Sequence, residues 1–273
     1  MFKNKKTLST ILIWVAMQFI CMLPASLIML PVGILTGMDQ EDIRYLTVMM
    51  VLLLSQAGEL IVFRILGYFK FKEIVLPVPR LLTAVSSVIA GISLFYSIDI
   101  IQAQFEIPDL LEQDMGKFTE TVWGFFAICI IGPIAEEVMM RRIILRDLWR
   151  RSGRMWTGIL LSALIFAVIH LNPAQVVFAF PAGIILGWLY CATGSLIVPV
   201  IIHVLNNTIS FISIRTGGAQ PDLGDPQGKA ILAACLVAGI LLVRAVASVS
   251  RKNREFLRID ETPETETEPV KGQ

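Results

Sequence analysis

Long apolar runs separated by short polar segments fill most of the chain. Their spacing predicts eight membrane-crossing helices, at 8–35, 44–68, 81–103, 119–148, 156–171, 174–192, 196–215 and 229–250. Crossing the hydrocarbon core takes roughly 20 residues of helix, so the fifth and sixth runs are on the short side. A backbone in lipid must satisfy its own N–H and C=O groups, which makes an all-α polytopic membrane protein the expected fold. Pro24 and Pro31 predict a kink or break in the first run. Lys3, Lys5 and Lys6 precede that run in the manner of a signal peptide, but it far exceeds the roughly 7–15 apolar residues of a signal core.

The polar segments between the runs alternate in charge. Lys3, Lys5 and Lys6, then Lys70, Lys72 and Arg80, then Arg146, Arg150, Arg151 and Arg154, and last Arg251, Lys252, Arg254 and Arg258 share one side. Asp39, Glu41 and Asp42, then Glu106, Asp109, Glu112 and Asp114, then Asp222 and Asp225 mark the other. Basic loops stay in the cytoplasm, so both termini are expected there, in a multi-pass protein of the cell membrane.

Composition agrees: 55% of the 273 residues are hydrophobic and only 16% charged, against about 25% charged in soluble domains. The net charge of +1 itself says nothing of nucleic acid, and because the charge is sorted by loop and not clustered as a binding face, no nucleic-acid partner is expected. Cys21, Cys129, Cys191 and Cys235 are scattered singly in apolar runs, as small core residues and not a disulfide or zinc framework. The chain divides into helices 1–3 (1–118), a central block (119–215), a loop with the last helix (216–250) and a basic, then acidic tail (251–273) expected to be disordered. The tail carries no cysteine-containing prenylation box. Oligomeric state has no signature in the sequence.

Candidate chemistry lies in the central block. Glu136 and Glu137 end the apolar stretch that begins at Trp123, and the chain's two histidines, His170 and His203, also lie inside apolar runs. An ionisable group at bilayer depth costs at least about 2.5–3.5 kcal/mol and faces a cavity or a partner. Glu137 and Arg141 are spaced i, i+4 with the acid first, the favourable order for an ion pair on one helix face. Glu136 is rotated by about 100° and points elsewhere. Phe166 and His170 share a face, as do His203 and Asn207. Glu136 precedes Arg150 by 14 residues and His170 follows Trp156 by 14, so both lie about 21 Å from one short turn. His203, 8 residues past Ser195, reaches that level if the fourth and fifth helices project into the cytoplasm or the segment before Pro199 is extended. The site would then occupy the cytoplasmic half of the membrane.

Each group also has a structural reading. Buried histidines and asparagines, Asn206 and Asn207 included, bond across membrane helices; Glu137–Arg141 can be a structural ion pair; Glu59, Arg64 and Asp99 read as pairs or interface residues. Gly183-x-x-x-Gly187 reads as helix-packing material. A proton-coupled transporter is a rival use of membrane Glu and His, though its inverted repeats and paired broken helices are not visible. A non-catalytic immunity or scaffold protein is a second rival.

Glu-Glu-x-x-x-Arg at 136–141, Phe-x-x-x-His at 166–170 and His-x-x-x-Asn at 203–207 together resemble the three motifs of the CPBP family. This family of CAAX proteases and bacteriocin-processing enzymes is also called Abi, or type II CAAX prenyl endopeptidases. The likeness covers Thr119 to about Ser210, including Gly183–Tyr190 and Thr193–Leu196. It implies an intramembrane endopeptidase acting on a membrane-associated or lipidated protein or peptide. A prenylated CAAX-like protein, a secreted peptide precursor and a signalling-peptide leader all fit. The implied catalytic residues are Glu136, His170, His203 and Asn207, supported by Glu137, Arg141 and Phe166. In one version Glu136 is the general base for water, His170 positions that water, and His203 and Asn207 donate to the oxyanion. In the other, which gives the family its metalloprotease label, Glu136, His170 and His203 hold zinc or another divalent metal with water as fourth ligand. The spacing is not that of the His-Glu-x-x-His zinc proteases, and the metal-free version is slightly favoured.

Cysteines introduced at Glu112 and Ser152 should be labelled by impermeant reagent from opposite faces of the membrane; labelling of both from one face would overturn the orientation.

Overall fold

The computed structural model describes residues 6–75 and 77–249, without the side chains of Glu112 and Gln113. Among the described residues there are helices and no strands. α1 (Lys6–Thr36) and α2 (Gln40–Ile65) pair, followed by a short α3 (Lys72–Val75) and α4 (Leu81–Gln102). A short α5 (Glu112–Thr119) leads into a long composite helix, α6 (Val122–Ser152). Then come α7 (Met155–Val168), α8 (Pro173–Thr193), α9 (Ile197–Thr216) and α10 (Pro226–Val249). The chain is a multi-pass membrane protein: seven of these helices are long and apolar enough to cross a bilayer. The basic residues Lys3, Lys5 and Arg251–Arg258, and the acidic tail, lie outside the described residues.

Two expected elements are refined. α1 runs through Pro24 and Pro31 without a break. The expected span 156–171 is a helix of only 14 residues, about 21 Å, against roughly 30 Å of hydrocarbon. It stops because Leu171 adopts a left-handed backbone (φ 54°) before Asn172 and Pro173 open α8. Turn chemistry fixes the neighbouring joints: Gly153 and Gly194, both left-handed, close α6 and α8 by donating N–H to Trp149 and Tyr190 carbonyls.

α6 and α8 are the inner helices, with about half of their most apolar stretches buried against 11% for α1 and α10. α6 packs on α1, α2, α7, α8 and α9, and its Val138–Leu145 segment forms the middle of the largest core cluster with Phe63, Ile159, Phe166 and Tyr190. At one end of α6, Arg142 forks onto Glu73 of α3 at 3.0 and 2.8 Å. Burial pushes the Glu73 carboxyl up, but Arg142 and the Lys70 N–H outweigh it and hold it below the usual carboxylate range.

The two small residues of Gly183-x-x-x-Gly187 let α7 and α8 touch. A Cβ on Gly183 would lie 3.0 Å from the Ala163 Cα, and one on Gly187 would lie 3.2 Å from the Leu145 side chain. Backbone cannot retreat as a side-chain tip can. Gly183→Val should therefore lower folded stability by about 1–3 kcal/mol, read as a drop in unfolding temperature in detergent. An unchanged midpoint would overturn this reading of the packing.

Candidate functional site

α6 carries the two glutamates on a short regular turn, Gly132–Glu137, flanked by wider π-helical segments at Phe126–Ile131 and Val138–Leu145. In the first of these the Gly132 N–H reaches back five residues to Ala127. The same register would give the Ile128 carbonyl to Pro133, which has no N–H. Asn207 supplies the missing donor from α9: its Nδ2 lies 2.9 Å from the Ile128 oxygen. Asn207 thus bridges helices, as its structural reading allows, and retains a second amide proton.

Glu137 is fully buried and Arg141 is 1% exposed. Arg141 Nε lies 3.0 Å from Glu137 Oε2, off the direction of a hydrogen bond, so the contact is ionic in character. Arg141 also reaches the Gly183 carbonyl at 3.5 Å and lies over the Phe166 ring, 4.8 Å from its centroid. The other oxygen of Glu137 accepts from His203 Nδ1 at 2.9 Å. A carboxylate can only accept, so Nδ1 carries the proton and Nε2 is turned outward. Nε2 then stands 3.6 Å from Glu136 Oε2. Glu136, 26% exposed, is the open member of the glutamate pair.

His170 closes the group from α7. Its Nδ1 lies 2.7 Å from the Phe166 carbonyl, again an acceptor only, so its Nε2 also faces outward. Its ring meets Phe166 edge-on at 4.9 Å, and His203 meets the same ring edge-on at 5.8 Å. Phe166 is thus the common packing partner of Arg141, His170 and His203. The sequence placed Phe166 only one turn from His170; its contacts with Arg141 and His203 have no local signal.

Both imidazoles present Nε2 with Nδ1 anchored, the form a metal ligand takes. Their placement does not complete a metal site: among the described residues no three of His, Cys, Asp and Glu are gathered to hold an ion. As placed, Glu136, His170 and His203 do not form a preassembled three-ligand set.

Two further polar residues, Glu59, read from the sequence as a pair or interface residue, and Asn172, take their partners from distant segments. Glu59 is 2% exposed and accepts from Gln18 of α1 at 3.2 Å, so its partner is a neighbouring helix and not Arg64. It lies near enough to Glu136 for the two carboxyls to interact electrostatically. Asn172, also 2% exposed, ties the turn after His170 to Asp109.

Residues 118–209 match the family described as type II CAAX prenyl endopeptidase, Rce1-like. A Bacillus subtilis (strain 168) protein described as a membrane peptidase, YdiL, is 31% identical over 83 residues, 30% of this chain and 34% of that protein. The membrane-embedded CAAX protease MroQ of Staphylococcus aureus (strain USA300) is 36% identical over 87 residues, 30% of this chain and 35% of MroQ. The chain thus matches about a third of the length of each. No solved structure matches.

Glu137→Gln removes the counter-charge of a guanidinium that has no water to turn to. It should cost about 3–5 kcal/mol and lower folded yield along with activity. Wild-type yield and unfolding temperature would show that the pair does not hold the site together.

Proposed function

We propose that this chain, whose residues 118–209 match the Rce1-like type II CAAX prenyl endopeptidase family, is an intramembrane endopeptidase that hydrolyses a peptide bond of a membrane-associated or lipidated substrate by a glutamate-activated water. One observation carries the mechanism: the open carboxylate of Glu136 faces His203 Nε2 at 3.6 Å, while Glu137 and Arg141 are locked behind it. A water held between Glu136 Oε2 and His203 Nε2 would lose its proton to Glu136 as its oxygen attacks the scissile carbonyl carbon. The oxyanion would accept a hydrogen bond from the remaining Asn207 amide N–H if the substrate reaches that depth. Glu136 would then return the proton to the departing amide nitrogen as the C–N bond breaks. Water and peptide are consumed; a carboxylic acid and an amine are released, and transfer of the acid proton leaves them as carboxylate and ammonium.

The other residues hold geometry. Glu137 keeps His203 in one tautomer, Arg141 holds Glu137 in place, and Phe166 packs against both imidazoles. His170, packed on the same Phe166 ring as His203, would orient the water or the substrate carbonyl. The low-dielectric surroundings would strengthen each of these contacts relative to water.

Glu136→Gln keeps the size and loses the base. In membranes holding a cleavable peptide substrate it should abolish cleavage, a loss of at least about 100-fold, with yield and unfolding temperature near wild type. Full retention of proteolysis would remove Glu136 as base and bring the transporter or scaffold reading forward. In the same assay, chelator should leave wild-type activity in place; loss restored by zinc would instead give a metal a role that this arrangement of ligands does not.

A further inference from the structure

We propose that Asn172 and Asp109 form a clip that positions His170; the functional side of this inference rests on the catalytic reading above. α7 ends in a tightened turn in which the His170 N–H returns to Ala167 and the Leu171 N–H to Val168. Leu171 then takes φ 54°, the one non-glycine residue at positive φ among the described residues. A leucine has no intrinsic preference for that conformation, and strain of this kind persists only where the surroundings over-determine it. Leu171 is itself 79% exposed, so its own side chain does little to hold it there.

The restraint comes from the loop between α4 and α5. Asn172 uses both halves of its amide: Nδ2 donates to Asp109 Oδ1 at 2.8 Å, and Oδ1 accepts the Leu110 N–H at 3.1 Å. Asp109 Oδ1 also accepts the Leu111 N–H at 2.9 Å, which fixes the carboxylate before Asn172 meets it. On either side, the Ala174 N–H donates to the Pro108 carbonyl at 3.2 Å and Gln102 Nε2 to the Ala174 carbonyl at 3.0 Å. Residues 108–110 and 172–174 are thus joined by a ladder of polar contacts centred on a buried amide. His170 immediately precedes the strained Leu171. Without the clip Leu171 relaxes to negative φ, and the turn that places the His170 ring against Phe166 goes with it.

The arrangement has a consequence for the division of labour in the chain. Asp109 lies outside residues 118–209, the stretch matched by the family, whereas His170 and Asn172 lie within it. The N-terminal half therefore contributes a positioning residue to a site whose chemical groups all come from the central block.

The chain's only two imidazoles are His170 and His203, so ¹⁵N-histidine-labelled protein in lipid nanodiscs gives two ring systems to follow. Asn172→Ala and Asp109→Ala should each move or broaden the His170 ring signals and leave those of His203 in place. Each should lower kcat on a membrane peptide substrate by about 10- to 100-fold with KM within about twofold. The double variant should fall no further than the worse single one, because both remove the same clip. Unmoved His170 signals, or an unchanged kcat, in a folded variant overturns the proposal. Should Asn172→Ala fail to fold, Asp109→Ala leaves the Asn172–Leu110 bond and carries the same two readouts. The ring signals are read without turnover. If Glu136→Gln cleaves like wild type, the catalytic reading falls and the His170 shift still reports whether the clip holds the ring.

Discussion

A guanidinium and a carboxylate, both out of water, are the constraint around which the central block is arranged. Arg141 at 1% exposure and Glu137 at zero have given up their hydration, and an isolated charge in that position would not be tolerated. Each therefore recruits everything in reach. Arg141 takes Glu137, the Gly183 carbonyl and the Phe166 face. Glu137 takes Arg141 with one oxygen and His203 with the other. These contacts tie α6 to α7, α8 and α9, the four elements that make up the matched region. The ion pair is thus less a source of stability than a fixed point to which α7, α8 and α9 are referred.

The backbone adapts to serve that point. π-helical turns on both sides of Gly132–Glu137 rotate the flanking residues relative to a regular helix, and such insertions recur where side chains must be re-aimed. Pro133 explains one local consequence, because it leaves the Ile128 carbonyl for Asn207 to satisfy. The structure shows the second π segment, over Val138–Leu145, and we have no physical account of why it forms there.

How much of this the sequence disclosed follows from the range of each interaction. The apolar runs give the helices, since length and hydropathy are local, and the i, i+4 rule gives Glu137–Arg141 as an ion pair. Three motifs in order gave the candidate residues. The contact of Glu137 with His203 joins positions 66 residues apart, and no spacing rule reaches that far. Hydropathy sets the end of α7 three residues too far on because its apolar run continues past its last helical residue, through Ile169 to Leu171. Asn172-Pro173, read as a helix-start signal, marks the boundary that hydropathy missed. The clip to Asp109 stayed hidden for the same reason as the His203 contact: its two halves lie 63 residues apart.

The glutamate pair is adjacent in sequence and unequal in what it can afford to do. A general base must accept a proton and give it back in every cycle. Were Glu137 to accept one, Arg141 would lose its counter-charge with no solvent to replace it, and His203 would lose the carboxylate that fixes its tautomer. Proton transfer at Glu137 would therefore disturb the scaffold at each turnover. Glu136 has no such duty: its nearest charged or imidazole contact is His203 Nε2 at 3.6 Å, and a quarter of its side chain is open. It can change protonation state while Glu137, Arg141 and Phe166 stay where they are. On the proposed reaction, the two neighbours divide the work between a carboxylate that must stay ionised and one that must be free not to.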